Sequence, residues 1–139
     1  MKKKDFEIRF YEHLLEEQPN FVNVLISLGD AYTRKGFYEE GLSIDQKLAR
    51  LKSKDPVIHY NLACSLSLLG KLNQSLQALK KAVLLGYDEF AYILKDADLK
   101  NIRELPKFKS FFAKLKRLNK PAGPQKSFLP APQASGPPK

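Results

Sequence analysis

The chain repeats itself at an interval of 34 residues. Leu28-Gly29-x-x-Tyr32 returns as Leu62-Ala63-x-x-Leu66, Gly36 as Gly70, Leu42 as Leu76, Lys47 as Lys81 and Leu51 as Leu85. A period of this length, with two helical stretches in each unit, restricts the fold sharply. One helix pair cannot bury its own apolar face and must stack on a neighbouring pair to do so. Stacks of this kind present extended surfaces, so the period points to recognition and not to catalysis.

Residues 4–18 read as an amphipathic helix in which Phe6, Phe10 and Leu14, and beside them Ile8, Tyr11 and Leu15, recur at three- and four-residue steps. Pro19 stops it, because proline disfavours helical geometry in the residue before it. On the 34-residue register this segment is the second helix of a pair, so the chain opens on half a repeat that would act as an N-terminal cap. The first full repeat covers about 22–55. Its first helix spans Phe21 to Lys35 and ends at Gly36, a left-handed C-cap, and its second runs from Tyr38 to Lys52. Asp55-Pro56 then supplies an N-cap and a proline at the first helical position. The second repeat, about 56–86, has helices at 56–69 and 73–85, separated by Gly70 and closed by Gly86.

After Gly86 the period breaks. Asp88–Lys95 is expected to form a short helix with Phe90, Ile93 and Leu94 inward, and Asp98–Glu104 another turn or two. Pro106 then opens a helix to Leu118 with Phe108, Phe111, Phe112 and Leu115 along one side. Residues 119–139 hold most of the chain's nine prolines, with Gly, Ser, Ala and Gln between them. They read as a disordered, partly polyproline-like tail. The expected organisation is therefore one body over 1–118, with a helical cap at 87–118, and a Pro-rich tail over 119–139.

These residues resemble the tetratricopeptide repeat family over about 4–86. The family places small residues where paired helices approach closely. Here Gly29 and Ala63 take the first such position, Gly41 and Ser75 the second, and Leu48 and Ala82 the third. Leu48 is larger than usual there and should open the first pair slightly. Tyr32 and Leu66 fill an aromatic slot. Leu25 and His59 stand where tryptophan is usual, and Asp45 and Leu79 where the second helix usually carries an aromatic. Asp45 should either turn to solvent or yield its place to Ile44. The string from Lys95-Asp96-Ala97-Asp98-Leu99 to Pro106-Lys107-Phe108 resembles the closing segment of bacterial arrays of this family. The resemblance implies an all-α, antiparallel helix-pair solenoid: half a repeat, two full repeats and a helical C-terminal cap.

Composition narrows the function. No stretch approaches the ~18 apolar residues of a membrane-spanning helix. The basic start at Met1 to Lys4 is followed by Glu7, Arg9 and Glu12, not by an apolar run, so a secretory signal is not expected. The single cysteine, Cys64, excludes an internal disulfide and a cysteine-built metal site. A cytoplasmic setting is the expectation. The net charge of +9 is uneven: residues 1–99 balance, while residues 100–139 carry ten Lys/Arg against one acid, Glu104.

Catalysis needs convergent polar groups, and the sequence offers none. His13 stands among Glu12, Glu16 and Glu17 on a solvated face, and His59 occupies a packing position. Asp96 and Asp98 are two carboxylates where a hard cation would need more oxygen ligands, so helix capping is the expected role. Cys64 should be buried or line a groove. No Gly-rich phosphate loop is present. The expectation is a non-enzymatic protein with no cofactor and no metal.

The resemblance implies that the first helix of each pair lines a concave groove. The matching positions are Asn23, Ile26, Asp30, Thr33 and Arg34 in the first repeat, and Val57, Tyr60, Asn61, Cys64, Ser67 and Leu68 in the second. Asn61 matches an asparagine with which some tetratricopeptide domains hold a C-terminal carboxylate. Ile26 and Asp30 replace the other clamp residues, so that clamp is not expected. The groove suits an extended peptide or amphipathic helix of another protein, buried against Ile26, Val57, Tyr60 and Leu68, with Asp30 and Arg34 setting polarity. The alternative for Tyr60 and Leu68 is that the C-terminal cap or a neighbouring copy covers them. A second reading concerns Lys107, Lys109, Lys114, Lys116, Arg117 and Lys120, a basic segment for which the solvated face of a cap helix is the favoured expectation and contact with nucleic acid, an anionic membrane or an acidic protein the alternative. Its phenylalanines are spaced for packing inward and not for stacking on bases. A third is self-association through exposed ends.

Overall fold

A computed structural model describes residues 3–119, and all regular structure among them is helical. The elements are α1 (Phe6–Glu17), α2 (Val22–Arg34), α3 (Tyr38–Leu51), α4 (Pro56–Leu68), α5 (Leu72–Leu84), α6 (Phe90–Ile93), a 3-10 turn (Ala97–Leu99), α7 (Lys100–Arg103) and α8 (Pro106–Leu118). The boundaries of the five long helices before Gly86 fall within two residues of those expected. The tail expected over 119–139 lies, from residue 120 onward, outside the described residues.

Local chemistry sets the boundaries. The Asp5 carboxylate accepts from the Ile8 amide at 3.1 Å, and Asp55 accepts from Val57 and Ile58 at 2.9 and 3.3 Å, with Pro56 opening α4. Such caps satisfy amides that the helix itself leaves unbonded. α2, α4 and α5 all end in the same way. Gly36, Gly70 and Gly86 each have positive φ (88°, 76° and 120°). Each glycine amide donates three residues back, and the next residue donates five back: Phe37 to Tyr32 at 2.8 Å, Lys71 to Leu66 at 2.9 Å and Tyr87 to Ala82 at 2.9 Å. This is the Schellman closure, whose left-handed residue favours glycine.

Short connections return the chain on itself, so α1 packs on α2, α2 on α3, α3 on α4 and α4 on α5. The helices approach closely at the small residues. A Cβ added at Gly29 would stand 3.1 Å from both Ile44 Cγ2 and Asp45 Oδ1, and one added at Gly41 would stand 2.9 Å from Thr33 Oγ1. In the second repeat the corresponding contact is a hydrogen bond, Ser75 Oγ donating to the Ala63 carbonyl at 2.7 Å.

The core divides into three clusters. Ile8, Leu28, Ala31 and Tyr32 join α1 to α2, and Leu25, Leu48 and Ile58 join the two repeats. Leu48 shares its cluster with Leu25 of its own pair and with Ile58 of the next. The third cluster runs from Leu42 and Tyr60 through Leu76 and Leu79 to Leu99, Ile102, Phe108 and Phe112, so repeat and cap share one interior. Each fully buried side chain of this size contributes about 1.5–3 kcal/mol.

Two expectations are corrected. Asp45 does not face solvent: it is buried, and its Oδ2 accepts from Ser65 Oγ at 2.5 Å. Ile44 meanwhile packs partly buried between the first two clusters, so both residues serve the interior. Leu94 does not turn inward. It is 48% exposed, because α6 is only four residues long and Ile93 takes the buried position. Among the described residues no helix is long and apolar enough to cross a membrane.

Candidate binding groove

Ile26 and Asp30 lie one turn apart on α2, and Val57 and Asn61 one turn apart on α4. The i, i+4 spacing puts each pair on one helix face. Together they line a groove of about 360 Å³, with Asp45 and Leu48 of α3 contributing to its lining. Its character is mixed. Ile26 is 40% exposed and offers an apolar wall. The Oδ1 of Asn61 is buried and has no hydrogen-bond partner among the described residues, leaving an acceptor in the groove lining unsatisfied. A buried acceptor in that state costs about 1–3 kcal/mol.

Asp30 is fixed from behind. Arg34 Nε donates to its Oδ2 at 2.8 Å while Nη2 of the same guanidinium donates to Glu7 Oε2 at 3.0 Å. Lys35 joins this network by donating to Glu7 at 2.8 Å and to Asp5. The Lys35 and Arg34 hydrogen bonds hold the Glu7 carboxyl below its ordinary range, and the Lys35 hydrogen bond does the same for Asp5. Arg34 therefore orders the α1–α2 seam and the Asp30 carboxylate together. The remaining α2 candidates lie elsewhere. Thr33 is half-buried against Gly41, and Asn23 is exposed and outside the groove lining.

The second-repeat wall differs from expectation. Tyr60, Cys64 and Ser67 are fully buried, and Leu68 is half-buried. The C-terminal cap closes over them. The Tyr60 ring stacks on Tyr87 with centroids 4.2 Å apart and planes 6° off parallel. Its phenol donates to Asp96 Oδ2 at 2.5 Å, and Cys64 Sγ approaches the same oxygen at 3.7 Å. Asn101 Nδ2 donates to the Ser67 carbonyl at 3.1 Å, and one Arg103 nitrogen donates to the Ile93 and Asp96 carbonyls, both at 2.7 Å. Burial pushes the Tyr60 and Tyr87 phenols well above their usual range, which keeps both neutral. These three groove assignments are therefore corrected: of the two alternatives open for Tyr60, the cap occupies it. Tyr87, Asn101 and Arg103 were not singled out by the sequence, since nothing local tells a polar residue that ties down a cap from one on its surface.

Cys64, Asp96 and Asp98 bring three ligand-type atoms within 4.8 Å of one another. The Asp96 carboxylate is already committed, however. Oδ2 receives Tyr60 and Cys64, and Oδ1 receives the Asp98 amide at 2.9 Å as N-cap of the 3-10 turn. The arrangement is that of a buried polar joint between repeat and cap. His59 is buried with Nε2 2.8 Å from the Ser53 carbonyl, while His13 is exposed beside Glu16.

On α8, Phe108 and Phe112 stack together in the interior, and Lys107, Lys109, Lys114, Lys116 and Arg117 are exposed. Lys120, grouped with them in sequence, lies outside the described residues.

No family model matches the chain. Over 83 residues it is 33% identical to a curated chloroplastic protein of Arabidopsis thaliana, a stretch that covers 58% of this chain and 25% of that protein. The chain thus spans about a quarter of the length of this curated relative.

Proposed function

We propose that this chain is a non-enzymatic, cytoplasmic binding module of tetratricopeptide type. It seats an extended peptide or an amphipathic helix of another protein in the groove between α2 and α4. One observation carries this reading: Ile26, Asp30, Val57 and Asn61, four positions implied by the resemblance to the tetratricopeptide family, line a single groove. An extended segment brings backbone amides and alternating side chains. The free Oδ1 of Asn61 would accept one such amide, Ile26 and Val57 would bury an apolar side chain, and the Arg34-anchored carboxylate of Asp30 would favour a basic neighbour. The working surface is shorter than the register implied, because the cap takes up Tyr60, Cys64 and Ser67.

The test is selection of binders from a displayed peptide library, followed by affinity measurement on wild type and Ile26→Glu. The reading requires binders with an apolar anchor and a basic flank that lose affinity with Ile26→Glu. A second reading is favoured by the five exposed cations of α8, which would meet nucleic acid or an anionic membrane. It predicts binding to DNA, RNA or acidic vesicles that fades as salt rises. Absence of binding at low salt removes it.

A further inference from the structure

α1 packs on α2 with one face and leaves the other open. Ile8, Tyr11 and Leu15 turn toward α2, so Phe6 is 81% exposed and Phe10 49% exposed. Their rings lie 6.0 Å apart and 19° from parallel, which makes one apolar patch of the two. Arg9 follows Phe6 by three residues on the helix and so shares its face. Lys3, Lys4, Asp5, Phe6 and Arg9 together line a hollow of about 400 Å³. Large apolar side chains left open together in this way mark interaction surfaces.

The charge of this face differs from that of its sequence, where Lys3, Lys4 and Arg9 are balanced by Asp5, Glu7 and Glu12. Each of these carboxylates is already engaged. Asp5 and Glu7 both accept from Lys35, and Glu7 also accepts from Arg34 at 3.0 Å. Glu12 accepts from Lys4 at 2.9 Å and from the Tyr32 phenol. Lys3 and Arg9 are exposed and take no part in these pairs. Two stacked phenyl rings thus stand beside an ammonium and a guanidinium that are left to solvent. We infer that the Phe6–Phe10 face binds an acidic segment of another protein, which lays an apolar side chain on the two rings and brings carboxylates to Lys3 and Arg9. A guanidinium suits a carboxylate because two parallel hydrogen bonds can form. The positive region is small. Exposed Glu16 and Glu17 lie further along α1, and exposed Glu39 and Glu40 line a second hollow together with Lys3 and Arg9. A broad anionic bilayer would meet these like charges, whereas a short segment fits between them. The sequence beyond residue 119 carries no acid and cannot supply that segment. The hollow of about 600 Å³ over α4 and α5, with Leu62, Leu66 and Leu84 in its wall, offers less charge to a partner, since its Lys80 ammonium lies 5.6 Å from the centre of the Phe111 ring of the cap. The Phe6–Phe10 face shares no residue with the α2–α4 groove.

The test pans a displayed peptide library against the full chain carrying Ile26→Glu, which removes the apolar wall of the groove. Selected peptides are then measured on that protein and on versions that add Phe6→Ser/Phe10→Ser or Lys3→Glu/Arg9→Glu. These four added positions are exposed, and circular dichroism checks that helicity is kept. Enriched peptides should set Asp or Glu beside a large apolar residue and bind more weakly as salt rises. Each added pair of substitutions should weaken them by about tenfold or more. Replacing the acids of a peptide by lysine should restore binding to the Lys3→Glu/Arg9→Glu protein, which a loss of structure would not do. The inference is overturned if no acidic peptide is enriched, or if the enriched peptides bind all three proteins alike. It is also overturned, in favour of a membrane or of a second copy, if no acidic peptide binds while Phe6→Ser/Phe10→Ser abolishes either sedimentation with phosphatidylserine vesicles or a rise of mass with concentration.

Discussion

The phenol of Tyr60 donates to the carboxylate of Asp96 at 2.5 Å, across 36 residues of sequence and out of contact with solvent. This bond joins α4 of the second repeat to the turn that begins the C-terminal cap. Asp96 also caps that turn through the Asp98 amide, so one carboxylate both starts the cap and ties it down.

Tyr60→Phe should therefore be costly although it is nearly isosteric. The ring keeps its stack on Tyr87, but a buried carboxylate loses a donor, a loss of about 1–3 kcal/mol. Tyr60→Ala also leaves a cavity and should cost about 3–5 kcal/mol. Urea unfolding of both variants checks this. A neutral Tyr60→Phe would mean that the Tyr60–Asp96 bond does not help to hold the cap, leaving that to packing and to the Asn101 and Arg103 hydrogen bonds.

The N-terminal seam should be acid-sensitive. At Glu12, burial pushes the carboxyl up, but hydrogen bonds from Tyr32 and Lys4 outweigh it and hold the group below its ordinary value of 4.5. Asp5 and Glu7 are lowered chiefly through Lys35. A carboxylate with a lowered folded value gives stability that is fully present above the unfolded value and is lost as pH falls through the folded one. Amide exchange of α1 should accelerate selectively below about pH 4.5. Glu12→Gln should flatten that dependence and weaken α1 at neutral pH. An acid response spread evenly over all helices would contradict the assignment.

The Asp45–Ser65 bond joins the two repeats. Ser65→Ala deprives a buried carboxylate of its hydroxyl donor and should cost about 1–3 kcal/mol. Gly29→Ala pushes a methyl group toward Ile44 and Asp45 in the same seam, and should cost about 1–3 kcal/mol as overpacking. Since the two sites share Asp45, the double variant should depart from additivity. Thermal unfolding of the two singles and the double measures the coupling, and strict additivity would show that the sites act separately.

Much of the helical framework was legible because its signals are local. Gly36, Gly70 and Gly86 mark left-handed closures, and Asp55-Pro56 marks a start, from backbone requirements that hold whatever the rest of the chain does. Ile26, Asp30, Val57 and Asn61, which the family resemblance implied as groove positions, line one hollow, because residues four apart share a helix face. The rest depended on distant partners. Tyr60, Cys64 and Ser67 carry the same face pattern whether that face is an open groove or a closed seam, and only the path of the chain after Gly86 decides between them. The inward turn of Asp45 rests on a serine twenty residues away, which no periodicity reveals. Leu94 followed the helical pattern, but α6 ended before that pattern could apply.

The most direct test of the central claim is residue-resolved NMR of the isotope-labelled chain, titrated with a peptide from the displayed library. The account predicts shift changes concentrated at Ile26, Asp30, Val57 and Asn61. It also predicts an affinity about tenfold weaker in Asn61→Ala, corresponding to roughly 1.4 kcal/mol. Shift changes centred on α8 or on the α4–α5 hollow, with unchanged affinity in Asn61→Ala, would contradict it.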